Sequence, residues 1–322
     1  MESNTIPTYP TWCLMAWRIH LTNQAIQNLH ILPGKPPTLA VWTRQDRVHH
    51  YDLKTGSILA EQTLAPAPHQ QPRNSDAWQE YAGQLTGPDT SFFLPHLRVN
   101  GFEMLISDDG KLRLYRLDDD SLFIEINGEE EPIRINGDKP LIALDLDRAL
   151  GTIAGLDEDL NLHLYQQNIR VGTFDLGLKR DADLRPNVAV ARGGGSIFVS
   201  DGRRLVAVDP GGNILRTQEM HYFIGQMAAS PSGGMVVSSD MESGVIRVYR
   251  GDGLALTHQR FAIDLILAAN QVQLLADLPP IGTAVSTIVA STRGVFAFSM
   301  SGVVCVTSVE QMDTVPRPKA LF

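Results

Sequence analysis

Cysteine is scarce in this sequence. Only Cys13 and Cys305 occur among 322 residues, which excludes a disulfide framework and fits a reducing compartment. Cations are outnumbered: 27 Lys and Arg face 36 Asp and Glu, for a formal net charge of -9. The broad attraction to phosphate on which nonspecific nucleic-acid binding depends is therefore missing, and a protein partner with a basic surface fits better. Long apolar runs are lacking as well. The N-terminal run Trp12 to Trp17 is cut by Arg18, and the stretch from Ile263 to Leu278 holds Asp264, Asn270, Gln271, Gln273 and Asp277. Neither reads as a signal peptide or a membrane span, so a soluble, cytoplasmic protein with no membrane partner is expected.

Signatures of chemistry are equally sparse. Gly193-Gly194-Gly195-Ser196 leads into a strand-like run without a following Lys-Ser or Lys-Thr, which excludes a phosphate-cradling loop. No G-x-S-x-G elbow occurs, and both cysteines lie in strand-like runs that suit buried, inert thiols. Nine histidines are present without an HExxH pair; His49 and His50, adjacent on a strand, point to opposite faces. Asp145, Asp147 and the Asp157 to Asp159 group do not match a calcium loop. No catalytic, cofactor or metal residue is assigned, and a noncatalytic protein is the expectation.

What the sequence does hold is repetition. A strand, turn, strand phrase recurs as RVHHYDLKTGSIL (Arg47 to Leu59), KLRLYRLDDDSLF (Lys111 to Phe123), NLHLYQQNIRV (Asn161 to Val171), RLVAVDPGGNIL (Arg204 to Leu215), VIRVYRGDGLAL (Val245 to Leu256) and GVFAFSMSGVVC (Gly294 to Cys305). Apolar and polar residues alternate with a period of two, the mark of strands. Lys54-Thr55-Gly56, Pro210-Gly211-Gly212-Asn213 and Gly251-Asp252-Gly253 supply residues that tolerate tight reversal, so the phrases are hairpins. A further strand precedes each copy: Ala25 to Ile31, Phe92 to Val99, Leu141 to Asp147, Asn187 to Ala191, Ile224 to Ala229 and Gln271 to Leu275. Four strands per repeat, recurring at intervals of some tens of residues, predict an all-β closed propeller of four-stranded blades, six or seven in number.

The turn DLKTG at Asp52 to Gly56, the phrase AVDPGGNIL at Ala207 to Leu215 and the phrase MAASPSGGMVVSSD at Met227 to Asp240 resemble WD40-like and quinoprotein-like propeller repeats. The likeness spans residues 25 to 310 and implies fold. The Trp-Asp and Gly-His dipeptides of WD40 blades are missing here, so the polar network they build is not implied. The quinone cofactor of the quinoprotein family is not implied either, because the repeat tryptophans are absent from the corresponding turns.

Residues 1–312 are expected to form one propeller domain, with the N-terminal strand 12–21 closing the ring or belonging to a degenerate seventh blade, and residues 313–322 a flexible tail. An insertion at 65–91 carries a short helix, opened by Asp76 and Gln79 as a capping box, with Trp78, Tyr81 and Leu85 on one face. That face either packs on the propeller or contacts a partner. The stretch 262–283 reads as lengthened strand and loop. In a propeller, the turn between second and third strands leaves each blade at the same end as the links between blades. Here those turns are acidic, at Asp46, Asp108 and Asp109, Asp157 with Glu158 and Asp159, Asp201, and Asp240 with Glu242. Such a rim either keeps the surface soluble or steers a basic partner. The reading favoured is a noncatalytic interaction scaffold, an accessory subunit of a bacterial multi-protein complex. The alternative is a metal-dependent hydrolase or small-molecule binder using the central channel.

Overall fold

The computed structural model describes residues 16–21, 26–32, 35–43, 47–63, 97–99, 102–106, 112–116, 122–126, 133–134, 141–147, 152–166, 169–191, 195–271, 284–291 and 294–315. Among them the chain folds into six sheets. Strand β1 (Trp17–His20) comes first. The first sheet runs β2 (Ile26–Leu32), β3 (Thr38–Thr43), β4 (Arg47–Asp52), β5 (Ile58–Thr63), and the second β6 (Leu97–Val99), β7 (Phe102–Ile106), β8 (Leu112–Arg116), β9 (Leu122–Ile126), with β10 (Ile133–Arg134) on its outer edge. The third holds β11 (Leu141–Asp147), β12 (Thr152–Asp157), β13 (Leu162–Gln166), β14 (Ile169–Phe174). The fourth holds β15 (Asn187–Val190), β16 (Ile197–Ser200), β17 (Arg204–Val208), β18 (Ile214–Glu219). The fifth holds β19 (Ile224–Ala229), β20 (Met235–Asp240), β21 (Val245–Arg250), β22 (Leu256–Phe261). After helix α1 (Ala262–Ala268) and β23 (Asn270–Gln271), the sixth is built from β24 (Thr287–Ala290), β25 (Val295–Met300) and β26 (Val303–Ser308), and helix α2 (Val309–Met312) follows.

The first five sheets are antiparallel meanders, and in the first, third, fourth, fifth and sixth the earliest of the consecutive strands is innermost. Strand β11 lies against β15, β15 against β19, β19 against β24, and β24 against β2. Burial follows from that stacking. Strands β3, β12, β16 and β20 are buried along their whole length, and alternate residues of β16 and β20 enter the seams on either side. Outermost strands β14 and β18 are largely exposed. The sequence obeys the same gradient: IFVS and MVV sit in the middle, RTQE at the edge.

The tyrosines that recur in the repeat sit at one structural position. Tyr51, Tyr165 and Tyr249, with Val208 in the fourth sheet, each lie in the third strand where its register against the fourth strand shifts by one residue, a bulge that bends the outer strand. The turn beyond is held by an aspartate. Asp52 Oδ1 accepts from the amides of Lys54 and Thr55, and Asp209 Oδ1 from those of Gly211 and Asn213. Gly56 and Gly212 take the positive φ (72° and 84°) that completes each turn.

The sixth sheet departs from the pattern. Its fourth strand is β1, the first strand of the chain, paired antiparallel with β26 from Trp17↔Val306 to His20↔Val303. Phe298, which aligns with the tyrosines in the sixth phrase, therefore lies in a second strand: the hairpin GVFAFSMSGVVC joins strands two and three, because strand four arrives from the far end of the chain. Alternation along β1 sends Trp17, Ile19 and Leu21 into the seam with the first sheet, against Leu29, Tyr51 and Leu53. Trp17 Nε1 donates to Leu53 O at 2.9 Å. Arg18 faces the other way and donates to Ile266 O at the end of α1.

Three expectations need correction. The stretch 262–283 opens with helix α1 in place of a strand, because Ala262, Leu265, Ile266 and Ala269 recur at helical spacing and bury together against Phe296, Phe298 and Cys305. The inner strand of the sixth sheet is Thr287–Ala290, not Gln271 to Leu275; Asn270 and Gln271 instead pair in parallel with Trp17 and Arg18 on the outer edge. The flexible tail does not begin at residue 313, since Val315 is buried in the core and Arg260 Nε donates to its carbonyl at 2.6 Å. The helix expected at 65–91 and residues 316–322 lie outside the described residues.

Candidate functional site

Antiparallel alternation places the turns between second and third strands at the same end as the links between sheets. Backbone hydrogen bonds fasten the two together. From the link after the fourth sheet, Met220 N donates to Arg203 O and Ile224 N to Gly202 O, while Met241 N in the fifth-sheet turn donates to Phe223 O. From the link before the fourth sheet, Lys179 N donates to Asp201 Oδ2 at 3.0 Å, and from the link after the fifth sheet Ala262 N reaches Gly244 O at 2.9 Å. One continuous face thus extends from the third sheet to the sixth.

A buried aspartate organises the turns of the third, fourth and fifth sheets on this face, whereas the sixth-sheet turn, Ser301-Gly302, has none. Asp157 is 2% exposed and accepts from the amides of Asp159 and Asn161, from the Asn161 side chain and, at 2.9 Å, from His163 Nε2. Burial alone would raise its pKa, but these hydrogen bonds from His163 and Asn161 prevail and hold it below the usual carboxylate value. Asp201, 4% exposed, accepts from the amides of Arg203 and Arg204 and from Arg204 Nε at 3.1 Å. Asp240, 6% exposed, accepts from the amides of Glu242 and Ser243 and from Arg247 Nη1 at 3.2 Å. In every case the carboxylate is turned into the hairpin and paired with a cationic or imidazole side chain.

The acidic residues named from sequence therefore divide. Asp157, Asp201 and Asp240 are interior clamps, whereas Glu158, Asp159 and Glu242 are exposed on the same turns. Asp46, Asp108 and Asp109 lie outside the described residues, as do Trp78, Tyr81 and Leu85. Sequence reading missed the clamps' partners His163, Arg204 and Arg247. The signal was available: each acidic turn is followed within seven residues by a basic or imidazole side chain, in LDEDLNLH, SDGRR and SDMESGVIR.

Aromatic residues bind the fourth and fifth sheets together at this face. Arg203 lies 4.4 Å over the ring of Phe223, and Arg247 lies 3.7 Å over Tyr222. Tyr222 Oη also meets Ser238 Oγ at 2.9 Å and Tyr249 Oη at 2.5 Å; burial pushes both phenols above their usual pKa, so they stay protonated. Elsewhere, burial raises the Cys305 thiol, whose Sγ faces Leu265 O, and leaves it unreactive. No group of three His, Cys, Asp or Glu side chains converges among the described residues, and no helix there is long and apolar enough to cross a membrane.

Neither protein-family models nor curated proteins yield a match to this chain. Solved structures do. The β-propeller domain of Cps50 (Swd1) from Myceliophteria thermophila superposes with a TM-score of 0.56 at 10% identity, covering 91% of this chain and 99% of that one. The WD40 repeats of RRP9 superpose with a TM-score of 0.52 at 12% identity, covering 95% and 83%. The fold is a WD40-like β-propeller. At such identities the likeness speaks to fold alone, and three blades of this propeller carry a polar device, an aspartate closing the turn against His163, Arg204 or Arg247.

Proposed function

We propose that this propeller is a noncatalytic interaction scaffold that receives a protein partner on the face formed by its second-to-third-strand turns and inter-blade links. WD40-like propellers typically serve protein partners, and the observation that carries the reading here is the clamping of three successive turns by buried aspartates. Clamped turns are ordered before a partner arrives, so association does not bear the entropy of ordering them. Exposed Glu158, Asp159 and Glu242 on those turns attract basic groups of the partner. Asp108, Asp109 and the segment bearing Trp78, Tyr81 and Leu85 extend the same surface in this reading. An accessory role in a larger complex follows from it.

The test is affinity purification from the native cell with quantitative mass spectrometry. Wild type is compared with Glu158→Lys, Asp159→Lys, Glu242→Lys combined, and separately with Trp78→Ala, Tyr81→Ala combined. The charge-reversed variant should lose a protein that wild type retains at low salt and releases at high salt. An unchanged set of co-purifying proteins from both variants would overturn the reading.

A further inference from the structure

The face is not uniform in charge, and its odd member is the fourth blade. The turns of the third and fifth blades expose Glu158, Asp159 and Glu242, whereas the fourth-blade turn exposes Arg203, its side chain 56% accessible. The link that reaches this turn, 175–186, adds exposed Lys179, Arg180 and Arg185. Its carboxylates are Asp175, Asp181 and Asp183; Asp175 and Asp181 are folded back onto the amides of Gly177 and Asp183. Arg203 is held ready for a ligand. Its guanidinium lies over Phe223 and touches Asp181 through Nη2 alone, at 3.3 Å, so its remaining N–H groups point to no partner among the described residues. Beside it the fifth-blade turn presents Met241, 42% exposed. An oriented arginine bordered by an aromatic ring and a methionine has the composition of an interface hot spot.

We infer that the seam between the fourth and fifth blades seats a short acidic segment of the protein partner, a carboxylate on Arg203 with an apolar side chain against Phe223 and Met241. This rests on the reading of the face as a docking surface and adds the chemistry of what docks there. A planar guanidinium fixed by stacking favours a bidentate carboxylate. The cationic stretch is confined to one blade and bounded by Glu158 and Asp159 on one side and Glu242 on the other, which suits a short acidic patch and repels a long polyanion such as RNA.

Fluorescence anisotropy with three labelled probes tests it: the peptide Glu-Glu-Leu-Phe-Glu-Glu, its counterpart with every Glu replaced by Gln, and decauridylate RNA. Wild type should bind the acidic peptide about tenfold more tightly than the Gln peptide, a difference of about 1.4 kcal/mol. Arg203→Glu should abolish that preference. Lys179→Glu with Arg180→Glu, both exposed, should weaken it several-fold without touching the stacked pair, and unchanged thermal melting would confirm that both variants are folded. Equal affinity for the two peptides, indifference to Arg203→Glu, or tighter binding of decauridylate lost on the same substitution would each overturn the inference, the last by assigning the seat to nucleic acid. Retention of the co-purified partner despite a failed peptide test would sink the acidic seat and leave the scaffold standing; the reverse result would do the opposite.

Discussion

Replacing Asp240 by alanine removes three acceptor contacts at once: those from Glu242 N, Ser243 N and Arg247 Nη1. What remains is worse than an empty space. Arg247, its side chain only 16% exposed, keeps its charge beneath Tyr222 without the carboxylate that balanced it. Removing one member of a largely buried ion pair costs about 3–5 kcal/mol, most of it the penalty of stranding the other member. For a chain of this size, that corresponds to a fall in Tm on the order of 10 °C. Arg247→Met alone strands Asp240 and loses the stacking on Tyr222. The two substitutions together strand no charge, so their combined cost should fall short of the sum of the single costs by about 2 kcal/mol, within the range found for residues in contact. Thermal unfolding of wild type, both single variants and the double variant at neutral pH closes this cycle. Additive costs would refute the claim that Asp240 and Arg247 act as one clamp.

Other outcomes follow from the same structure. Burial first, and neighbouring His49 second, depress the pKa of His50 to about 4, so the unfolded chain binds a proton near pH 6.5 that the folded chain refuses; stability present above that value is lost as the pH falls toward about 4. At about pH 5 the loss should approach 2 kcal/mol, and urea midpoints of wild type and His50→Gln should diverge between neutral pH and pH 5, parallel curves counting against the assignment. A methyl added at Gly251 would sit 1.6 Å from Gly233 O, backbone against backbone, so Gly251→Ala should cost at least about 1–3 kcal/mol in thermal melts. Trp17→Ala should cost about 3–5 kcal/mol, because it empties the seam between first and last blades. Trp17→Phe, which chiefly strands Leu53 O, should cost about 1–3 kcal/mol, and equal losses for the two would argue against the packing account.

Much of the architecture was legible because it rests on periodic features. The hairpin phrases carry their own turn chemistry, in Asp52 with Gly56 and Asp209 with Gly212, and the inner strands Leu141–Asp147 and Ile224–Ala229 announce themselves by length and apolar content. Legibility failed where one sequence pattern serves two structures. AIDLILA is apolar enough for a strand, yet its buried residues fall at helical spacing, and only the cleft beside Cys305 and Phe298 decides the matter. The sixth phrase misled for a different reason: its repeat register depends on a strand near residue 17, about 290 positions away, and no local signal reports that pairing.

The acidic turns show the limit most clearly, because charge is written in the sequence and orientation is not. Asp157 and Glu158 are adjacent carboxylates, yet one is buried with four donor groups around it and the other is exposed. A hairpin of this kind must satisfy several amides that no ladder partner reaches, and an aspartate at the end of the second strand is the nearest acceptor. Once committed to that task, its charge must be balanced within the sheet, which is what His163, Arg204 and Arg247 do. The residues left to meet a partner are the ones that follow the clamp: Glu158 and Asp159, Arg203, and Met241 with Glu242. Their sign changes across the third, fourth and fifth blades, while each of those three turns keeps its buried aspartate. In the proposed scaffold, recognition falls to these exposed positions, on a backbone that the buried aspartates hold.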